Sequence, residues 1–160
     1  MSITVNSEYK FSILQMAAEA FLLDSGSVPL TGSRLVASLV RGNDHTSKFT
    51  ESEAAAFSTH WEVVSQKANT GTGFSGTLFK CIKDDPATGA VAGELVMSFR
   101  STEFIDDAVR DNKETNEREI FKTGWAWGQL RDMEAWYAEL NGAGAGPLYG
   151  NPESTQRNGQ

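Results

Sequence analysis

The chain has 160 residues, 39% hydrophobic and 22% charged, a balance that excludes a disordered tail and suits one folded domain. Lys and Arg number 14 against 21 Asp and Glu, a net charge of −7, which argues against nucleic acid as the partner because phosphate binding needs a concentrated basic face. One Cys and two His exclude an internal disulfide and are too few for most structural zinc sites, so neither metal nor cofactor is expected.

The start, Met1-Ser-Ile-Thr-Val-Asn-Ser-Glu8, lacks the basic, apolar and small-residue order of a cleaved signal. The protein therefore reads as cytoplasmic, or as exported without such a signal; a shortened piece of a longer protein fits as well. No run of ~18 apolar residues exists, so no transmembrane segment is expected.

Residues 8–23 read as a first helix, with Tyr9, Ile13, Met16, Ala17, Ala20 and Phe21 at helical spacing. Asn6 or Ser7 caps its start and Asp24-Ser25-Gly26 ends it. A shorter helix covers 33–40 and stops at Gly42-Asn43. Thr50-Glu51-Ser52-Glu53 has the spacing of a capping box, and Ala54 to Phe57 continue that helix.

The period then changes. Residues 61–68, 74–83 and 94–100 read as strands, with Thr70-Gly71-Thr72-Gly73 and Asp85-Pro86-Ala87-Thr88-Gly89 as turns. Short connections make them an antiparallel meander. On the second strand Phe74, Gly76, Leu78, Lys80 and Ile82 share a face.

Residues 104–111 read as a short helix and 112–119 as a charged, solvated loop. A longer helix spans 124–140, with Ala126, Leu130, Met133, Tyr137 and Leu140 as its apolar stripe and Asn141-Gly142 as its end. The domain is thus 1–141, and 142–160 is a flexible Gly, Pro and polar tail.

Catalytic constellations are scarce. There is no Gly-x-Ser-x-Gly elbow and no phosphate loop of the Walker type. His45 and His60 stand apart and read as surface or strand-end residues. Cys81, inside a strand, reads as a small buried hydrophobe. Asp106 and Asp107 suit a helix N-terminus. Trp125, Trp127, Trp136 and Tyr137 read as core or interface aromatics, with a lipid-facing surface as the alternative.

One segment says more. An apolar strand, Glu94-Leu-Val-Met-Ser-Phe-Arg100, runs into Ser101-Thr102, and Asp111 follows nine residues later. Before it come Trp61-Glu62-Val63-Val64 and Thr72-Gly73-Phe74-Ser75, and after it Gly124-Trp-Ala-Trp-Gly-Gln129. Over roughly residues 55–140 this resembles the class 3 lipases, serine esterases of the α/β-hydrolase fold. In that family the strand before the oxyanion loop ends in Phe-Arg-Gly-Ser or Phe-Arg-Gly-Thr, with an Asp at a similar distance.

The resemblance implies an α+β fragment of an α/β-hydrolase fold: N-terminal helices, a three-stranded meander and a long C-terminal helix. It makes Thr102 the oxyanion donor, through its backbone N–H and its hydroxyl, with Arg100, Ser101 and Asp111 supporting the loop. It implies an ester or lipid as substrate where the rest of such an enzyme is present. Ser101 stands where the family carries Gly, which restricts the loop backbone.

The family's later Ser elbow and His do not occur in these 160 residues. The chain therefore reads as the oxyanion half of a lipase-like hydrolase, inactive alone. The alternatives are a non-catalytic interaction module on the same scaffold and an unrelated small α+β binding domain. Without a nucleophile strand beside it, one edge of residues 94–100 is expected to stand open. It is expected to be covered by a second copy, by the 142–160 tail or by the rest of the enzyme where present, and a homo-oligomer formed through that edge is the simplest cover.

Overall fold

The computed structural model describes residues 5–43, 48–100 and 126–142. The element order is α1 (Val5–Ala18), α2 (Gly32–Arg41), α3 (Glu51–His60), β1 (Trp61–Lys67), β2 (Gly76–Cys81), β3 (Leu95–Phe99) and α4 (Trp127–Leu140). This is the expected α+β arrangement of N-terminal helices, a three-stranded antiparallel sheet and a long C-terminal helix. The described residues fall into two units. One holds α1–α3 and the sheet; the other holds residues 69–74 and α4.

In the first unit the sheet is a meander in the order β1-β2-β3. β2 and β3 pair without interruption from Gly76↔Phe99 to Lys80↔Leu95. β1 and β2 pair from Trp61↔Cys81 to Val63↔Phe79, then slip by one residue, so that Ser65 faces Leu78 and Gln66 faces Thr77. Val64 is the extra residue of a β-bulge.

Alternation before the bulge points Trp61 and Val63 inward with Phe79 and Cys81, all four buried. After it Gln66 falls on that same face, and its carboxamide donates to Thr77 Oγ1 at 3.0 Å. The core-facing set on β2 is therefore Thr77, Phe79 and Cys81, each fully buried. Leu78, Lys80 and Ile82 share the opposite face, as the alternation reads, with Lys80 and Ile82 exposed.

The core of this unit is aromatic at its centre. Phe57 meets Phe49 and Phe79 edge-on, each pair with ring centroids 5.6 Å apart. Leu14, Leu22, Leu39 and Trp61 close around them. α3 begins with the capping box read from sequence: Thr50 N–H donates to Glu53 Oε2 at 2.9 Å, and Glu53 N–H donates to Thr50 Oγ1 at 3.3 Å. α2 ends at Gly42, whose φ of +59° and N–H bond to the Ser38 carbonyl close the last turn. A Cβ there would also lie 2.9 Å from Lys48 Cγ, so the site favours glycine twice over.

α1 stops at Ala18, five residues short of its expected end at 23. Long-range side chains claim the backbone groups that would have extended it. Gln66 donates to the Ala20 carbonyl at 2.9 Å and accepts from Leu22 N–H at 2.8 Å, and Ser38 Oγ donates to the Phe21 carbonyl. The chain then turns through Asp24, whose Oδ1 accepts from the N–H groups of Gly26 and Val28. Those two bonds, Val28 first, hold its carboxyl below the usual range.

In the second unit the 70–73 turn docks on α4. Thr72 Oγ1 donates to Asp132 Oδ2 at 2.7 Å, and Gln129 Nε2 donates to the Thr72 carbonyl at 3.2 Å. Phe74 packs against Trp136, with centroids 6.1 Å apart. Trp136, Gly128 and Ala138 are the buried residues of α4, whereas Tyr137 of the expected stripe is 47% exposed. A single large ring finding a partner outweighs the regular spacing of smaller side chains. Gly142, at φ +65°, follows the helix end as expected.

Candidate functional site

Of the four candidate site residues, Arg100 lies among the described residues. Ser101, Thr102 and Asp111 lie outside the described residues, as do the 104–111 helix, the 112–119 loop, His45, Asp106, Asp107, Trp125 and the 143–160 part of the tail.

α1 and β3 run side by side in the same direction and are tied at both ends. At the start of β3, Lys10 Nζ lies 2.7 Å from Glu94 Oε1, with the Lys10 side chain only 8% exposed. At its end a cluster forms around Gln15. Ser98 Oγ donates to Gln15 Oε1 at 3.1 Å, and Gln15 Nε2 donates to the Phe99 carbonyl and to Glu19 Oε1. Gln15 and Glu19 are one helical turn apart, which is why both reach the same strand end.

The next residue is Arg100. Its N–H donates to the Ser75 carbonyl at 3.0 Å, extending the β2–β3 ladder past Phe99. Its side chain is 4% exposed and that of Glu19 is 8% exposed, with Arg100 Nε and Glu19 Oε2 4.0 Å apart. The guanidinium also lies 4.3 Å from the centroid of the Phe21 ring. A charge so far out of water persists only beside compensating groups. The main chain that enters Ser101 is thus gripped from β2, from α1 and from the turn after α1.

Sequence reading singled out Arg100 but missed Gln15, Glu19 and Phe21. They come from the first helical segment, ~80 positions earlier, and no local pattern marks them. A Gln and a Glu four residues apart are ordinary on a helix.

The remaining candidates are structural. His60 closes α3, with Nδ1 2.9 Å from Thr59 Oγ1 and 3.1 Å from the Ala56 carbonyl. Cys81 is fully buried, and burial, with lesser contributions from nearby carboxylates, pushes its thiol pKa up, so it stays protonated. Among the described residues no group of three or more His, Cys, Asp or Glu could hold a metal ion. No described helix is long and apolar enough to cross a membrane.

No protein-family model, no curated protein and no solved structure matches this chain.

Proposed function

We propose that this chain supplies the oxyanion-loop half of a lipase-like serine hydrolase acting on carboxylic esters or triacylglycerols. The observation that carries the reading is the grip on Arg100 at the end of β3. Ester hydrolysis builds negative charge on the carbonyl oxygen, and a donor stabilises it best when no reorganisation is needed at the moment of reaction. A donor carried two residues beyond a buried, multiply held arginine starts from a fixed point. Thr102 would give its backbone N–H and its hydroxyl to that oxygen, while Arg100 acts as a positioning residue. The nucleophile, its base and the acid behind the base would come from outside these 160 residues.

The test is made on the protein encoded by this sequence together with the reading frame after Gln160. A Gly-x-Ser-x-Gly followed by Asp and His, with ester turnover that Thr102→Ala lowers about 10²–10³-fold in kcat at little change in KM, supports the proposal. A frame without the elbow, or turnover indifferent to Thr102→Ala, refutes it. One observation favours a second reading, an interaction module without catalysis: β3 stands at the rim of the described sheet.

A further inference from the structure

The geometry points to the outer edge of β3 as a self-complementary surface through which two copies of this chain pair, strand against strand, about a two-fold axis at Val96. The argument begins with backbone direction. Cys81 N–H donates to the Glu94 carbonyl, and Arg100 N–H donates to the Ser75 carbonyl. Antiparallel alternation between those two points turns the N–H and C=O of Val96 and Ser98 toward β2, and those of Leu95, Met97 and Phe99 outward. Gln15 Nε2 donates to the Phe99 carbonyl, in keeping with that assignment. The outward groups of Leu95 and Met97 meet no partner among the described residues.

Two features bound the open stretch. On one side the chain turns in at Gly93, whose N–H donates to the Cys81 carbonyl. On the other the Gln15 carboxamide already sits on Phe99. What remains is Leu95 and Met97, and a two-fold axis at Val96 maps these onto each other. Leu95 of each copy then exchanges both backbone bonds with Met97 of the other, without disturbing Gln15.

The occupant follows from chemistry as well as register. Residues 95–99 carry no ionisable side chain, and the neighbouring Glu94 is matched by Lys10. Two chains of net charge −7 can therefore approach along this edge without like charges meeting in the seam. The side chains that share the outward-bonding positions are Leu95, 59% exposed, Met97, and Phe99, 38% exposed. Leu95 would lie opposite Met97 of the second copy, an apolar cross-strand pair.

The other rim of the same sheet is treated differently. β1 is broken by the bulge at Val64 and carries Glu62 and Lys67, devices that discourage edge pairing. β3 has neither bulge, proline nor charge.

The test is the mass of the intact chain in solution over ~1–500 µM, by sedimentation equilibrium. The proposal expects a monomer–dimer equilibrium. Met97→Pro removes an N–H that points away from β2 and should raise the dissociation constant about 10–100-fold, because the lost bond occurs twice across the axis. Leu95→Lys, which leaves the backbone intact, should weaken association in the same direction and decides the matter if the proline variant does not fold. Amide exchange gives an independent readout: Val96 and Ser98 slow at every concentration, Leu95 and Met97 slow only where the dimer forms.

A single-chain mass throughout would overturn the proposal. So would a dimer indifferent to both substitutions. Protection of Leu95 and Met97 in the monomer would mean that other residues of the same chain cover the edge, and would overturn it too. The proposed function would set a nucleophile strand on this same edge in a longer protein, so the pairing is read on this chain alone, while ester turnover and its loss in Thr102→Ala report on the function separately.

Discussion

Glu19→Gln isolates the grip on Arg100. It swaps a buried carboxylate for an isosteric amide 4.0 Å from a guanidinium that is 4% exposed. Removing one member of a buried ion pair typically costs about 3–5 kcal/mol. Two features place this pair at or below the lower end of that range. The separation is at the outer limit of an ion pair, and Phe21 keeps a cation–π contact of about 0.5–2 kcal/mol with the guanidinium. The expected loss is therefore about 2–3 kcal/mol. With a urea m-value of about 2 kcal/mol/M, the midpoint falls by about 1–1.5 M. Urea titration of wild type, Glu19→Gln, Arg100→Met and the double variant completes a cycle, and the double variant should recover part of the loss. A Glu19→Gln protein within about 0.5 kcal/mol of wild type, or a coupling energy no larger than that, would refute the reasoning. The end of β3 would then be fixed without help from the Glu19 carboxylate, by its main-chain bonds, Gln15 and Phe21.

Gln66→Ala strips partners from Leu22 N–H, the Ala20 carbonyl and Thr77 Oγ1 together; a loss of about 2–4 kcal/mol in chemical denaturation is expected, and one below about 1 kcal/mol would contradict the role given to it. Glu53 is held below the usual carboxyl range by its bonds from the Thr50 hydroxyl and N–H. A carboxyl with a depressed folded-state pKa stabilises above its unfolded pKa, about 4.3, and loses that contribution as pH falls through the folded value. The stability gap between wild type and Glu53→Ala should therefore narrow below about pH 4, and a gap constant from pH 7 to 2 would count against the capping box as its source. Cys81, fully buried with its thiol pKa raised, should react with a disulfide reagent only after unfolding, and rapid labelling of the native chain would show that β2 opens locally.

The parts of the fold legible in the sequence are those fixed by neighbours in the chain. The capping box at Thr50 and Glu53 depends on residues three apart, and it forms as read. β1 covers 61–67 as expected, because Gly71 and Gly73 punctuate the chain soon after it and α3 ends directly before it. Errors arise where a distant group decides. The early end of α1 is set by Gln66 and Ser38, and the buried member of α4 is set by Phe74. On β2 the alternation groups Leu78, Lys80 and Ile82 as read, and it is Trp61 and Val63 across the sheet that decide which face turns inward. The site divides the same way. Arg100 is visible as part of an apolar strand's ending, whereas Glu19, Gln15 and Phe21 become its neighbours only through the fold.

The bulge at Val64 also sets where this chain can change length. Beyond it, Gln66 shares the inward face with Trp61 and Val63 because one residue has been passed over in the pairing. Deleting Val64 would leave Ser65 opposite Leu78 and Gln66 opposite Thr77, so every side chain of β1 would keep its side. Deleting Val63 or Ser65 instead would let Val64 slide into the vacated place, and the pairing from Trp61 to Gln66 would again run one to one. Any one codon of the three from Val63 to Ser65 is therefore dispensable to the strand's inside-out order. A lineage that lost one would trade the irregular rim for a straight one and keep the fold, with Glu62 and Lys67 left to discourage pairing there.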